Sequence, residues 1–225
     1  VRDALRSSSA HVFVDDIDEP VLADDDLHHL SRVLRLRDGE QVSVCDGAGG
    51  WRMTEWRGGT LLTVGDAVRE PAPPAVTVAF VPVKGDRNDA AVEKMVEIGV
   101  GRIVVLAPTE HSVVRWDAAR AGANVARYAR IARAAASQSR RTHLPVVEGP
   151  LRLGDILGDG SVALAEPGGS PSLEGVSTVV VGPEGGFSPA EVAAARRTVG
   201  LGGTVLRADT AAVVAATLLV AHAGR

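Results

Sequence analysis

Val179-Val180-Val181-Gly182-Pro183-Glu184-Gly185-Gly186-Phe187-Ser188 is an apolar run that empties into a glycine-rich loop. The tetrad that follows, Ser188-Pro189-Ala190-Glu191, has the form of a capping box with proline at the first helical position, and predicts an alanine-rich helix to about Thr198. Strand, glycine loop and capped helix in this order are the repeating parts of a parallel α/β sheet. Ligands of such sheets sit beyond the carboxyl ends of the strands, where glycine lets backbone N–H and C=O groups approach closely. The loop therefore reads either as a ligand-binding loop or as a tight strand-to-helix turn. It is not a Walker A loop, which ends in Gly-Lys-Ser/Thr, and it lacks the glycine spacing and first-strand position of the dinucleotide fingerprint.

The design recurs at Leu201-Gly202-Gly203-Thr204-Val205-Leu206-Arg207-Ala208-Asp209-Thr210-Ala211: glycines, a short apolar strand, then Asp209 or Thr210 as the cap of a final apolar helix. Arg207 falls at the end of that strand. Its guanidinium either faces the same crevice as the first loop or pairs with Asp209 or Glu184 on the rim.

Working outward, strand-like runs over Val76–Val83, Ile103–Leu106, Val162–Ala165, Thr178–Val181 and Val205–Leu206 alternate with helical stretches, which predicts an α/β fold with a largely parallel sheet. Upstream, Arg69-Glu70-Pro71-Ala72-Pro73-Pro74 concentrates proline and favours an extended connector. The domain boundary is placed there, dividing the chain into residues 1–72 and 73–225. In the first part Asp24-Asp25-Asp26 supplies cap and first-turn carboxylates, and Leu27, Leu30 and Leu34 recur at helical spacing, giving a helix to about Arg35. Strands over Gln41–Cys45, Trp51–Trp56 and Leu61–Val64, separated by glycine turns, form a meander typical of a small barrel.

The chain has 225 residues and is 45% hydrophobic, so it is folded and globular. Of 24 cationic residues only Lys84 and Lys94 are lysines, a compositional bias that removes the arginine count as an argument for nucleic acid. The net charge of −4 excludes a protein that coats nucleic acid indiscriminately, so any RNA contact must come from local clustering. Cys45 is the single cysteine; it rules out an intramolecular disulfide framework and, within an alternating apolar run, reads as a buried structural thiol rather than a nucleophile. His28 and His29 are adjacent and diverge on a helix, and no carboxylate or cysteine spacing completes a metal set, so no metal is expected. No apolar stretch has the length of a membrane span, and no signal peptide opens the chain, which begins at valine with a few residues expected to be missing or an unusual start. The expectation is a cytoplasmic protein with no membrane partner.

The order Gly-Pro-Glu-Gly-Gly-Phe-Ser, then Leu-Gly, then Leu-Arg-x-x-Thr-Ala resembles the C-terminal domain of the RsmE family, bacterial methyltransferases acting on uridine N3 in small-subunit (16S) ribosomal RNA. The likeness extends upstream, through His28-His29-Leu30, Val33-Leu34-Arg35 and Asp46-Gly47 to Glu97-Ile98-Gly99-Val100, His111-Ser112-Val113 and Gln138-Ser139-Arg140-Arg141. The chain departs from the family pattern at Gly203-Thr204, where relatives carry Pro-Arg, at Asp209, where they carry Glu, and at Ile98, where they carry Leu. No role is transferred to position 204.

The resemblance implies an α/β SPOUT-type C-terminal domain with a trefoil knot, preceded by a small PUA-like RNA-binding β-barrel, and a homodimer with S-adenosyl-L-methionine as cofactor. It implies a cofactor pocket made of three segments: Leu164, Ala165 and Glu166; Val181, Gly182, Pro183, Gly185 and Gly186; and Leu201, Gly202, Leu206, Ala208, Thr210 and Ala211. S-adenosylmethionine carries a sulfonium and no phosphate, so recognition falls to backbone donors and acceptors rather than to a helix N-terminus.

The partner implied is ribosomal RNA within the small subunit. Arg120, Arg127, Arg130 and Arg133 share a helix face and read either as a basic stripe or as a solvated surface. Arg140 and Arg141, in the matched Gln-Ser-Arg motif, and His28, Arg32 and Arg35 in the first domain are the RNA-contact residues expected. Trp51, Trp56 and Tyr128 stack on bases or belong to the core. Uridine N3 carries a proton that must leave, so the reaction needs a base and a cation near the flanking carbonyl oxygens. Arg207 is expected to supply the cation; Glu184 is either the base or a residue that shapes the loop by accepting hydrogen bonds. Two other readings stand beside this one: an RNA- or ribosome-binding protein without catalysis, and a related methyltransferase with a different RNA target.

Overall fold

The computed structural model describes residues 2–224 and divides into two compact units. One is the chain up to Pro73 together with Ala136–Leu144; the other is Pro74–Ala135 with the chain from Pro145 onward.

In the first unit a short helix α1 (Arg2–Ser7) leads into β1 (Ala10–Phe13), and β2 (Gln41–Cys45), β3 (Gly50–Arg57) and β4 (Thr60–Arg69) follow as the predicted meander. The sheet order is β1-β2-β3-β4, with β1 parallel to β2 and the rest antiparallel. Val42 and Val44 on one face of β2 pack with Val12, Leu30, Trp56 and Leu61. Ser43 and Cys45, on the other face, are also fully buried, because His11 and the segment around Arg141 lie over them. Trp51 and Trp56 are core residues, each 3% exposed.

The helix predicted over Asp24 to Arg35 is shorter. It is α2 (Asp24–His28), which widens into a π-helical turn over His29–Val33. The Leu34 N–H bonds back to the His29 carbonyl, and Arg35 takes a left-handed φ of 54°, which ends the helix. Leu30 is buried but Leu34, the C-cap, is 43% exposed, so the apolar spacing carried the helix to within two residues of its end.

The second unit is a six-stranded parallel sheet in the order β10-β8-β9-β5-β6-β7. Its strands are β5 (Thr77–Phe80), β6 (Arg102–Leu106), β7 (Val146–Leu151), β8 (Val162–Ser170), β9 (Thr178–Val181) and β10 (Thr198–Val199). The helices are α3 (Arg87–Ile98), α4 (Ala118–Gln138), α5 (Leu153–Leu157), α6 (Pro189–Ala194) and α7 (Ala208–Ala223). Alternating side chains build two cores, as expected of a sheet covered on both faces. Ala79, Val81, Val104, Leu106, Leu164 and Val180 meet Leu157 and Val192 on one side. On the other, Phe80 packs edge-on to the buried Tyr128 of α4, and α7 lies against β5 and β9.

Three local predictions are corrected. The capping box at Ser188 forms, with Ser188 Oγ accepting from the Glu191 N–H and Glu191 Oε2 from the Ser188 N–H, but α6 ends at Ala194 rather than near Thr198. Ala195 turns extended, because the Arg197 carbonyl is needed by the Leu164 N–H of β8. The strand of this region is therefore β10, and Val205–Leu206 is irregular chain. The final helix is capped by Arg207 in extended conformation, so Asp209 and Thr210 lie in its first turn rather than at the cap.

Candidate functional site

The carboxyl ends of β8 and β9 and the chain between β10 and α7 converge on one cavity of about 570 Å³, within the ~300–1,000 Å³ range of small-molecule sites. Each wall is one of the segments expected from sequence. Ala165 and Glu166 come from β8; Val181, Gly182, Pro183, Glu184, Gly185 and Gly186 from the glycine loop; Leu201, Gly202, Leu206, Arg207, Ala208 and Ala211 from the last connection. Leu164 is fully buried in the sheet and Thr210 is exposed on α7; neither lines the cavity.

Four further residues do: Pro167, Phe187, Thr204 and Val205. Phe187 had a signal, since it closes the glycine motif. Its ring lies so near Gly182 that a Cβ there would come within 3.1 Å of it. Val205, read as a strand residue, is 83% exposed at the rim.

The glycine loop is held at several points. Gly186 turns it with a φ of 71°. Glu184 Oε1 accepts from Arg87 Nη2 at 2.9 Å, so its carboxylate is engaged by the first turn of α3. Glu166, on β8, faces the same cavity as the loop. Burial raises the pKa of Glu166. Arg207 is exposed on the cavity wall, and among the described residues none of the ion pairs engages it.

The expected RNA contacts of the first unit fall into two kinds. His28, Arg32 and Arg35 are exposed around the π-helical turn, beside the exposed Val33 and Leu34. Arg140 has a structural engagement: at a left-handed φ of 57° its Nη2 donates to the Ser8 carbonyl at 2.7 Å. The Arg141 carbonyl accepts from His11 Nε2 at 3.0 Å, and burial lowers the pKa of both guanidinium groups. On α4, Arg120, Arg127, Arg130 and Arg133 are all exposed, and Arg127 pairs with Asp89. Among the described residues no group of three or more His, Cys, Asp or Glu side chains is placed to hold a metal, and no helix is long and apolar enough to cross a membrane.

A profile described as an RNA methyltransferase domain matches residues 70–220, and one described as an RNA methyltransferase PUA domain matches residues 22–55. The ribosomal RNA small subunit methyltransferase E of Mycobacterium bovis is 33% identical over 224 residues, covering 87% of this chain and 83% of that protein. The chain belongs to the ribosomal RNA small subunit methyltransferase E family. The Synechocystis member is 32% identical over 84% of this chain and 68% of its own length. The structure of a probable rRNA-methyltransferase from Porphyromonas gingivalis superposes with a TM-score of 0.77 at 28% identity, covering 96% of this chain and 98% of that one. The methyltransferase E of Neisseria gonorrhoeae, a structure bound to S-adenosyl methionine, has the same fold, with a TM-score of 0.81 at 24% identity over 95% and 97% of the two chains. The methyltransferase E fold thus accounts for both units of this chain, an N-terminal PUA-like domain and a parallel α/β domain.

Proposed function

We propose that this chain is an S-adenosyl-L-methionine-dependent methyltransferase that acts on N3 of a uridine in small-subunit (16S) ribosomal RNA, in the cytoplasm and as a homodimer. The observation that carries the reading is the glycine-walled cavity at the sheet's carboxyl edge, in a chain that belongs to a family of ribosomal RNA methyltransferases. The cavity fits the cofactor by its donor set: one carboxylate pair at the rim, an apolar wall, and main chain bared by glycine. Gly182, Gly185, Gly186, Leu201, Gly202 and Leu206 would hold the adenosine part, and Ala165 with Glu166 would close the β8 side. S-adenosylmethionine supplies an electrophilic methyl group, and the protein's part is alignment with the acceptor nitrogen. Arg207 neutralises charge that builds on the uracil carbonyl oxygens as the N3 proton leaves. Glu184, already tied to Arg87, shapes the loop. His28, Arg32 and Arg35 grip RNA phosphates; Arg140 and Arg141 set the shape of the segment that carries them.

The homodimer is supported by α7, which is rich in apolar residues yet leaves Leu218 39% exposed. A trefoil knot in the second unit is part of the proposal because the family implies it.

The test uses purified protein, labelled S-adenosylmethionine and small subunits lacking the modification, followed by mapping of the methylated nucleotide. Methylation at uridine N3 in 16S RNA is expected. Labelling of another nucleotide makes it a related enzyme with a different target, and absence of cofactor binding by calorimetry leaves an RNA-binding protein without catalysis.

A further inference from the structure

Two side chains with no part in the scheme above bracket the tip of the glycine loop. On one side the chain leaving β5 turns at Gly85, with a φ of 89°, and Arg87 Nη2 donates both to the Lys84 carbonyl at 3.3 Å and to Glu184 Oε1 at 2.9 Å. One guanidinium therefore fixes the main chain at Lys84 beside a residue of the cavity wall. The Lys84 side chain is exposed, and among the described residues its ammonium has no hydrogen bond or ion pair. On the other side the chain leaving β6 is folded by the Thr109 N–H to Ser112 Oγ at 2.8 Å and the Ser112 N–H to the Thr109 carbonyl at 3.2 Å. Glu110 N–H anchors this turn to Glu191 Oε1 at 3.0 Å. The turn lays His111 over Gly185, where a Cβ would stand 2.9 Å from the His111 Cβ. Glu184 and Gly185 are consecutive and both line the cavity; the Lys84 main chain is tied to the first through Arg87, and His111 lies against the second.

The identity of the cation adds a second argument. Only two of the 24 cationic residues are lysines. Lys94 is explained by its ammonium, which bridges Glu93 at 2.9 Å and Glu97 at 2.8 Å. A chain that otherwise draws its positive charge from arginine keeps lysine beside the glycine loop, and a compact point charge and a broad planar fork are not interchangeable.

We propose that Lys84 and His111 form the acceptor-nucleotide subsite: they bind the uracil to be methylated, the ammonium against a carbonyl oxygen next to N3 and the imidazole by hydrogen bonding to the base. The proposal rests on the methyltransferase reading above. As the N3 proton passes to solvent, negative charge spreads onto the flanking oxygens, and a compact cation there favours the reactive form. When N3 bonds to the methyl carbon, the sulfur–methyl bond breaks and the sulfonium becomes a neutral thioether, so charge is conserved.

The experiment compares the full-length wild type with Lys84→Ala, Lys84→Arg, His111→Ala, His111→Gln and, as control, Lys94→Ala. Cofactor affinity is measured by calorimetry, binding to unmethylated small subunits as a function of salt, and turnover with labelled S-adenosylmethionine. All variants are expected to bind the cofactor like wild type. Both Lys84 variants lose about tenfold or more in kcat, His111→Ala and His111→Gln lose a similar factor in kcat/KM, and Lys94→Ala is unchanged. Full turnover in Lys84→Ala, in Lys84→Arg or in either His111 variant overturns the proposal. So does a smaller salt slope of subunit binding in Lys84→Ala with kcat intact, which makes Lys84 a phosphate contact. If wild-type protein itself neither binds the cofactor nor methylates, the underlying reading falls instead, and the control shows which of the two has failed.

Discussion

Gly185 is a glycine because His111 occupies the space that a side chain would need. Gly185→Ala forces one of two tightly folded loops to move, an overpacking that costs roughly 1–3 kcal/mol. It is expected to weaken S-adenosylmethionine binding about tenfold, measured by calorimetry, and the double variant Gly185→Ala, His111→Gly should recover most of the loss; no recovery would disprove the steric account. Glu184 is the other residue whose role the contacts decide. Its pair with Arg87 is about one-third exposed on both sides, 36% and 35%, and such pairs contribute at most ~1 kcal/mol. Glu184→Gln still accepts from Arg87, so turnover should stay within about fivefold of wild type, whereas a loss near a thousandfold would make Glu184 the base. The sequence left both roles of Glu184 open because the partner, Arg87, lies 97 positions away and no local pattern links them. The cavity wall itself was legible, since glycine between a buried strand and a capped helix has few other uses. Val205 was not, because its position depends on a loop path rather than on spacing.

At the scale of elements, the sequence marked where chain segments start better than where they stop. The box at Ser188 set the start of α6 correctly, but alanine-rich sequence continues past Ala194, and only the demand of Leu164 for the Arg197 carbonyl ends the helix. Hydrogen bonds across a parallel sheet override local propensity, and nothing nearby in sequence announces them. His11 shows a long-range tie of the same kind between β1, β2 and the end of α4. A carbonyl can only accept, so Nε2 carries the proton that bonds to Arg141, while Nδ1 lies 2.8 Å from Ser43 Oγ. Burial pushes the imidazole pKa from 6.5 down to about 4, so it is neutral in the folded protein. The unfolded chain binds that proton below pH 6.5 and the folded chain does not, so this contribution is present above 6.5 and lost as pH falls toward 4. The loss amounts to roughly 3 kcal/mol, and denaturant titrations at pH 7 and pH 4.5 should show most of it. His11→Phe should flatten the pH dependence over that interval; an unchanged slope would assign the effect to other groups.

For the whole molecule, the α/β class was readable, while strand order was not, since it records which segments meet rather than what each segment is. Assembly belongs to this scale. Leu218→Glu puts a charge in place of the exposed apolar side chain of α7 and is expected to shift the protein from dimer to monomer in light scattering, with cofactor affinity reduced as well. A variant that stays dimeric moves the interface elsewhere.

The segment Ala136–Leu144 also has a genetic consequence. It belongs to the first unit, where Thr142 Oγ1 donates to Glu70 and the Arg141 carbonyl receives His11. The N-terminal module is therefore encoded in two separated stretches of the gene. Recombination that carried only the codons up to Pro73 would deliver a sheet whose buried imidazole has lost its acceptor, so this module can be inherited, swapped or fused to another enzyme only together with the end of the long helix that lies more than 60 codons downstream.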